Sequence, residues 1–540
     1  MENYNITVTS GYAILIRATT KYVVIRNNFI LASDSGNGIY IFSGAANSVQ
    51  LVNNTIVNGY NGIYVSSGGG GILIENNTVT GGESAYYLMT TPNINFTNNK
   101  AINPTKYGLR TYNLNYFRMD NNTLIGAGIS LSTNSLSLYP NYDFENNTIN
   151  GKQLKFLYSA SDQVLDKNQY GQIIIADSTN ITIRNYISSK NSFGVYIYYS
   201  ENITIENSFF SKSISSIKSL HSSNIKIRNV TIENMLEFGS YFDNSHDVII
   251  EDSFVNNSIS GQYIRNSYQF EIKNVSFMDN NNYGIYLWHT SSINITDSNF
   301  SNCKDGLFLK DSEIIKLESN IFSDCYHSGI YLYVSDNVII KNNILNNCGV
   351  NLIHNSVEWN YEFENNIVNG KPLGVFYNET GLTIDSSYSQ LILINCTDFT
   401  IENAILSQIE TGINIIYGDN ILIKNTSIYN FTQYGIKVEY SKNIDMRELY
   451  IDGENKEVYG LYAYNVSTIF LNHSIFTQCI YSSIYGEEVA DSLFTYNIFN
   501  NNTEYTLYLS YCTNLSIYGN DFLLNVDDPY IEDSSDCYFL

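Results

Sequence analysis

The sequence predicts an all-β fold, a right-handed, single-stranded parallel β-helix, and three observations predict it. A phrase of the form apolar-x-apolar-x-Asn recurs about 21 times between residues 23 and 515, mostly 22 or 23 residues apart. A second phrase, Gly-apolar-Tyr-apolar, returns at the same period between those copies. No stretch shows the 3.6-residue apolar periodicity of an amphipathic helix. A fixed short period marks a solenoid, whose coils cannot bury a core alone and must stack.

The first phrase reads Val23-Val-Ile-Arg-Asn27, Ile72-Leu-Ile-Glu-Asn76, Ile181-Thr-Ile-Arg-Asn185 and, later, Ile421-Leu-Ile-Lys-Asn425. Alternation with period two over five residues is a strand with one face buried. A leucine-rich repeat has a similar period but needs a helical return, which is missing here. The second phrase, as in Gly38-Ile-Tyr-Ile, Gly194-Val-Tyr-Ile, Gly284-Ile-Tyr-Leu and Gly329-Ile-Tyr-Leu, supplies another short strand. Asn, Ser and Gly turns join the two. At ~4.8 Å per rung, about 21 rungs reach roughly 100 Å.

Two columns test this register. The Asn that closes each strand (Asn185, Asn207, Asn229, Asn274, Asn342, Asn365, Asn403, Asn425) is expected to stack inward as an amide ladder. The residue before it faces outward and alternates in sign, from Arg184, Glu206, Arg228, Glu251 and Lys273 to Glu318, Lys341 and Glu364. Like charges one rung apart repel, so alternation fits a one-rung offset. If the ladder is inward, the sequons at Asn53, Asn76, Asn121, Asn146, Asn229 and Asn274 are unreachable in the folded chain. Those at Asn180, Asn202, Asn294 and Asn514 fall at turns and are open to glycans.

The array runs as one continuous β-helix over residues 1–540, broken by two long coils near 147–180 and 366–398. The breaks open alike, with Tyr142-Asp-Phe-Glu-Asn-Asn-Thr-Ile-Asn-Gly-Lys-Gln-Leu and Tyr361-Glu-Phe-Glu-Asn-Asn-Ile-Val-Asn-Gly-Lys-Pro-Leu. They mark a super-repeat of about 218 residues, and the first residues read like the end of another such unit, as in a fragment of a longer array.

The net charge of −24 argues against nucleic acid and acidic lipid surfaces, both of which call for clustered Lys and Arg. No window approaches the ~18 uncharged apolar residues of a membrane span. The acidic, Asn- and Tyr-rich composition points to an extracellular or cell-surface protein, without a signal or anchor in this segment.

The coils resemble the pectin-lyase-like superfamily, especially NosD-like proteins and carbohydrate-binding and sugar-hydrolase repeats. The residues that carry the likeness are the Ile203-Thr-Ile-Glu-Asn207 and Gly-Ile-Tyr phrases and Asn369-Gly-Lys-Pro-Leu373. The resemblance implies the fold. Its functions range over lyases, glycosidases, adhesins and, for NosD-like proteins, periplasmic copper-site maturation.

Copper would need ligands. The histidines at 221, 246, 289, 327, 354 and 473 form no tight cluster, and Cys303, Cys325 and Cys348, one repeat apart, read as buried thiols filling the core. No cofactor or metal is expected. For catalysis the weak candidates are Asp279 and Asp324, two rungs or roughly 9.6 Å apart in one column, with Asp305 and His327 close by. Constant coil lengths from 181 to 361 leave little room for a deep pocket, which disfavours a lyase or hydrolase. The preferred reading is a non-catalytic module that presents an elongated acidic, Tyr-rich face for glycan binding, adhesion or surface architecture, with a polysaccharide or cell-surface glycoprotein as the expected partner. Its ligand-binding residues are Tyr263, Tyr286, Phe308 and Tyr331 on consecutive rungs, Trp288 and Tyr333 two residues along, and Arg265 and Lys310 between them. Those two cations favour a polymer carrying carboxylates or sulfates.

Overall fold

The computed structural model describes all residues except 20, 43–48, 67–68, 134, 354–359, 528 and 540, so His354 lies outside the described residues. The chain makes about 23 turns of parallel solenoid and divides into two compact units, Met1–Ser276 and Phe277–Leu540. Among the described residues the one helical element is the 3₁₀ turn Leu136–Asn141, and no helix is long and apolar enough to cross a membrane.

A regular coil holds three strands where the sequence showed two. In the first unit one coil runs through Asn61–Ser66, Ile72–Glu75 and Thr78–Thr80. Each strand pairs in parallel with its counterpart one coil away, as Tyr64 with Tyr87 and Ile74 with Phe96. The third strand escaped notice because three residues are too few to show alternation.

The Asn column is displaced by one residue from its expected place. Asn27, Asn53, Asn76, Asn98, Asn121 and Asn146 are exposed and left-handed, with φ between 51° and 57°. The sequons at Asn53, Asn76, Asn121 and Asn146 are therefore on the surface, and so are those at Asn229 and Asn274. Asn294, expected at a turn, instead lies half-buried on strand Ser291–Thr296. A left-handed residue interrupts the period-two alternation, so the residue after it turns inward. The buried ladder is accordingly Asn28, Asn54, Asn77, Asn99, Asn122 and Asn147. Each Nδ2 donates to the next Oδ1 at 2.9–3.2 Å. Asn185, Asn207, Asn229, Asn274, Asn342, Asn365, Asn403 and Asn425 occupy the exposed turn, and still link rung to rung, as Asn229 to Asn207 at 2.7 Å and Asn425 to Asn403 at 2.6 Å. The charges beside them pair across rungs, with Arg228 to Glu206 at 2.7 Å and Lys424 to Glu402 at 2.8 Å. Exposed pairs of this kind contribute about 0–1 kcal/mol each.

Inside the second unit Phe277, Phe300 and Phe322 stack at 5.0 and 4.7 Å. The glycines opposite leave room for them, since a Cβ on Gly284 or Gly306 would stand 2.7 or 2.6 Å from a ring carbon. Cys303, Cys325 and Cys348 are buried free thiols.

Both long coils fold alike. Asn150-Gly151 and Asn369-Gly370 have positive φ at both residues, the turn that matches the twist of a two-residue hairpin. Each hairpin reverses the chain, pairing Thr148–Ile149 antiparallel with Lys152–Tyr158 and Ile367–Val368 with Lys371–Tyr377. A parallel sheet then grows from the new strand. The old sheet of Gly-apolar-Tyr strands ends at Ile129–Ser132 in the first unit and at Val350–Ile353 in the second. An inside corner between an ending and a starting sheet results in each unit.

Candidate functional site

The outward columns carry rings. In the first unit Tyr40, Tyr64 and Tyr87 stack at 4.6 and 5.0 Å, and Tyr241 and Tyr263 at 5.4 Å. In the second, Tyr286 and Phe308 stack at 5.1 Å, and Tyr331 meets Phe308 edge-on at 4.7 Å. Rings stacked face to face cover one another, so an uninterrupted column offers edges to solvent. Faces come free where a column is broken or capped.

Trp288, Lys310 and Tyr333 pair on consecutive rungs. The Lys310 ammonium lies 5.8 Å from the Trp288 ring and 5.7 Å from the Tyr333 ring. Along the adjoining turns runs an open groove of about 470 Å³, bordered by His289, Ser291, Asp311, Glu313 and Asp336. In the first unit Arg265 is held by Asp243 at 2.6 Å over the Tyr241 ring.

Of the four acid-base candidates, Asp279 and Asp324 sit in exposed left-handed turns, capped by Asn302 at 3.0 Å and Asn347 at 2.7 Å. Asp305 and His327 meet at the second corner, Oδ1 to Nδ1 2.5 Å, with Asp305 buried.

The corners themselves were not foreseen. Each new sheet sends a glutamine to seal the exposed edge of the old one. Gln172 accepts from the Ile129 N–H and donates to its carbonyl, both at 2.7 Å. Gln390 does the same to Val350 at 2.9 and 2.8 Å, and donates to the Thr411 carbonyl at 3.0 Å. Gly128 and Gly349 permit the approach, because a Cβ there would lie 2.3 and 2.7 Å from the glutamine oxygen.

Above each seal a lysine replaces the ring of the outward column. Lys218 pairs with Tyr196 and Tyr241, and Lys437 with Asn414 and Tyr462. At the first corner Lys106 bridges to Glu237 at 2.9 Å. Glu237 also lines a half-open cavity of about 180 Å³, together with Tyr107, Phe193, Phe238, Tyr241 and Lys218. The Lys218 ammonium lies 4.8, 5.6 and 5.7 Å from the rings of Phe193, Tyr241 and Tyr196. Burial, and then the Arg110 charge, push its pKa down to about 8. At the second corner Lys437 pairs with Glu439 at 2.8 Å, both largely buried. Glu410 is fully buried there with both oxygens lacking hydrogen-bond partners. Burial lifts its pKa to about 8, so it is neutral at pH 7, and its charge would act on Tyr331 and Tyr434. Among the described residues no three His, Cys, Asp or Glu converge as a metal set. The signal that could have found these corners was Ser216-Ile-Lys218 and Gly435-Ile-Lys437, two copies in which Lys stands for Tyr in the second coil after each break.

Several solved structures are similar to this chain at low identity. A mutant of the periplasmic alginate epimerase AlgG is 12% identical over 67% of this chain and 85% of its own, with a TM-score of 0.34. PfbA, a surface adhesin of Streptococcus pneumoniae, is 14% identical over 75% and 84%, with a TM-score of 0.27. The catalytic domain of a GH87 α-1,3-glucanase, in complex with nigerose, is 12% identical over 63% and 60%, at 0.26. No curated protein matches. The profile of the right-handed β-helix region matches residues 1–149, 155–296, 215–368 and 374–522, two of its breaks falling on the hairpins. The chain belongs to the right-handed β-helix family.

Proposed function

We propose that this protein is a non-catalytic extracellular or cell-surface module that binds an extended glycan along the groove beside Trp288. The observation that carries the reading is the Trp288–Lys310–Tyr333 run on consecutive rungs, each one residue before a turn residue, His289, Asp311 or Val334, that lines a 470 Å³ open groove. Rings beside hydroxyl- and carboxylate-bearing side chains suit sugar. Asp311, Glu313 and Asp336 accept hydrogen bonds from hydroxyls and repel uronates. Arg265 is already paired, and Lys310 is shared between two rings. The polymer at this groove is therefore neutral, not the acidic one that the sequence favoured. An open groove excludes little water, so binding is weak.

Affinity electrophoresis against neutral polysaccharides tests this. Retardation is expected, lost in Trp288→Ala and kept in Tyr40→Ala. Retardation indifferent to Trp288→Ala, or none at all, would return these rings to stabilising the stack. The same panel is expected to release no reducing or unsaturated ends. Cleavage abolished by Asp305→Asn would turn the reading to a lyase or hydrolase.

A further inference from the structure

We propose that the corner cavity of the first unit is a second, separate binding site, which takes the carboxylate of a single acidic sugar residue, a chain end or a branch, against Lys218, with Arg110 beside the Tyr107 wall. The charge inventory carries it. Four cations gather around it, Lys106, Arg110, Lys218 and Arg265, and of these Lys218 lines the cavity. Glu237 neutralises Lys106 and Asp243 neutralises Arg265, at 2.9 and 2.6 Å. Among the described residues Lys218 and Arg110 have no carboxylate partner. Two unpaired cations held within each other's field cost free energy that a small anion would recover. Their placement is the more pointed in a chain of net charge −24.

The shape agrees with the charge. At about 180 Å³ the cavity lies below the ~300 Å³ at which sites begin to enclose drug-sized ligands, so its occupant is one ring. Arg110 lies 4.8 Å from the Tyr87 ring and 5.2 Å from the Tyr107 ring, holding its planar fork on the column's broken end. Tyr107, Phe238 and Tyr241 supply apolar wall for a pyranose face. The depressed titration of Lys218 fits an ammonium waiting for an anion. Burial lowers it most; among the charged groups Arg110 and Arg265 lower it, and Glu237 and Asp243 raise it.

The test uses the whole chain with methyl β-glucuronoside, the neutral methyl β-glucoside and acetate as probes. Calorimetry is expected to show binding of the glucuronoside alone, weakened about tenfold or more in Lys218→Met and in Arg110→Gln, and kept in Lys218→Arg. Trp288→Ala is expected to leave it unchanged, so this site and the groove stand or fall separately. NMR of lysine-labelled protein gives a readout that packing alone would not move. The Lys218 midpoint is expected to rise from about 8 when the glucuronoside is added and to stay put with the glucoside. If Lys218→Met fails to fold, Arg110→Gln and the NMR shift decide. Equal binding of glucoside, equal binding of acetate, no binding, or affinity unchanged in both variants would overturn the proposal.

Discussion

The two insertion corners start from nearly the same sequence and end with opposite chemistry. Each has an Asn-Gly hairpin, a glutamine that seals the orphaned sheet edge, and a lysine in the second coil. The first surrounds its lysine with Phe193, Tyr196 and Tyr241 and leaves it without a carboxylate. The second gives its lysine Glu439, then buries Glu410 beside it. Residues that build the corner are shared, whereas residues that line it diverge. That division is expected where a scaffold must satisfy backbone groups and leave lining side chains to vary.

The shared part should show the largest effects. Gln390→Ala strips hydrogen bonds from the Val350 N–H and carbonyl and from the Thr411 carbonyl, each buried. At about 1–3 kcal/mol per unsatisfied group, the loss should exceed 3 kcal/mol. Gln172→Ala removes two such bonds and should cost less. Urea unfolding of both variants checks the order, and a Gln172 loss as large as that at Gln390 would mean that the number of sealing hydrogen bonds does not set the cost.

The second corner should also carry a pH signature. Glu410 has a folded pKa of about 8 against an ordinary 4.5. Below pH 4.5 it is protonated folded or unfolded, and no difference arises. As pH rises, only the unfolded chain ionises, so stability falls until about pH 8 and then levels. The deficit at pH 7 is about 3 kcal/mol. Glu410→Gln should recover it there, change little at pH 4, and flatten the profile between. A variant that tracks the parent across this range would show that Glu410 is ionised in the folded state.

How much of this was legible depends on the length over which a signal repeats. The coil period, the alternating charges and the matched breaks repeat often enough to be read, and Arg228–Glu206 and Lys424–Glu402 pair as the alternation requires. The ladder was misread by one residue because an Asn-Asn pair does not announce which member turns left-handed. Asn76 takes that conformation and Asn77 goes inside. Constant coil length spoke only to the regular coils. It said nothing of the corners, where the cavity forms between two sheets rather than inside a loop. The repeat spacing places Asp305 and His327 together, but Glu410 acts on Asp305 from about a hundred residues along the chain, which no local spacing encodes.

The smallest effect gives the sharpest contrast between the two lysines. Lys437→Met leaves Glu439 without its cation in a largely buried place. Breaking such a pair costs about 3–5 kcal/mol, and Glu439 retains some solvent, so the low end applies. Lys218→Met removes a cation that has no carboxylate and leaves an apolar side chain among Phe193, Tyr196 and Tyr241. The lost cation–π attraction and the relieved desolvation oppose each other, so stability at pH 7 should barely change. The pH dependence then tells which term remains. The folded pKa of Lys218, about 8, lies below its ordinary 10.5, so the penalty for its charge is present below pH 8 and relieved as pH rises to 10.5. The parent should gain stability across that window and Lys218→Met should not. Thermal unfolding between pH 7 and 10 measures both. A Lys218→Met variant that loses as much stability as Lys437→Met would show that the first lysine is a structural strut like the second, and the contrast between the corners would disappear.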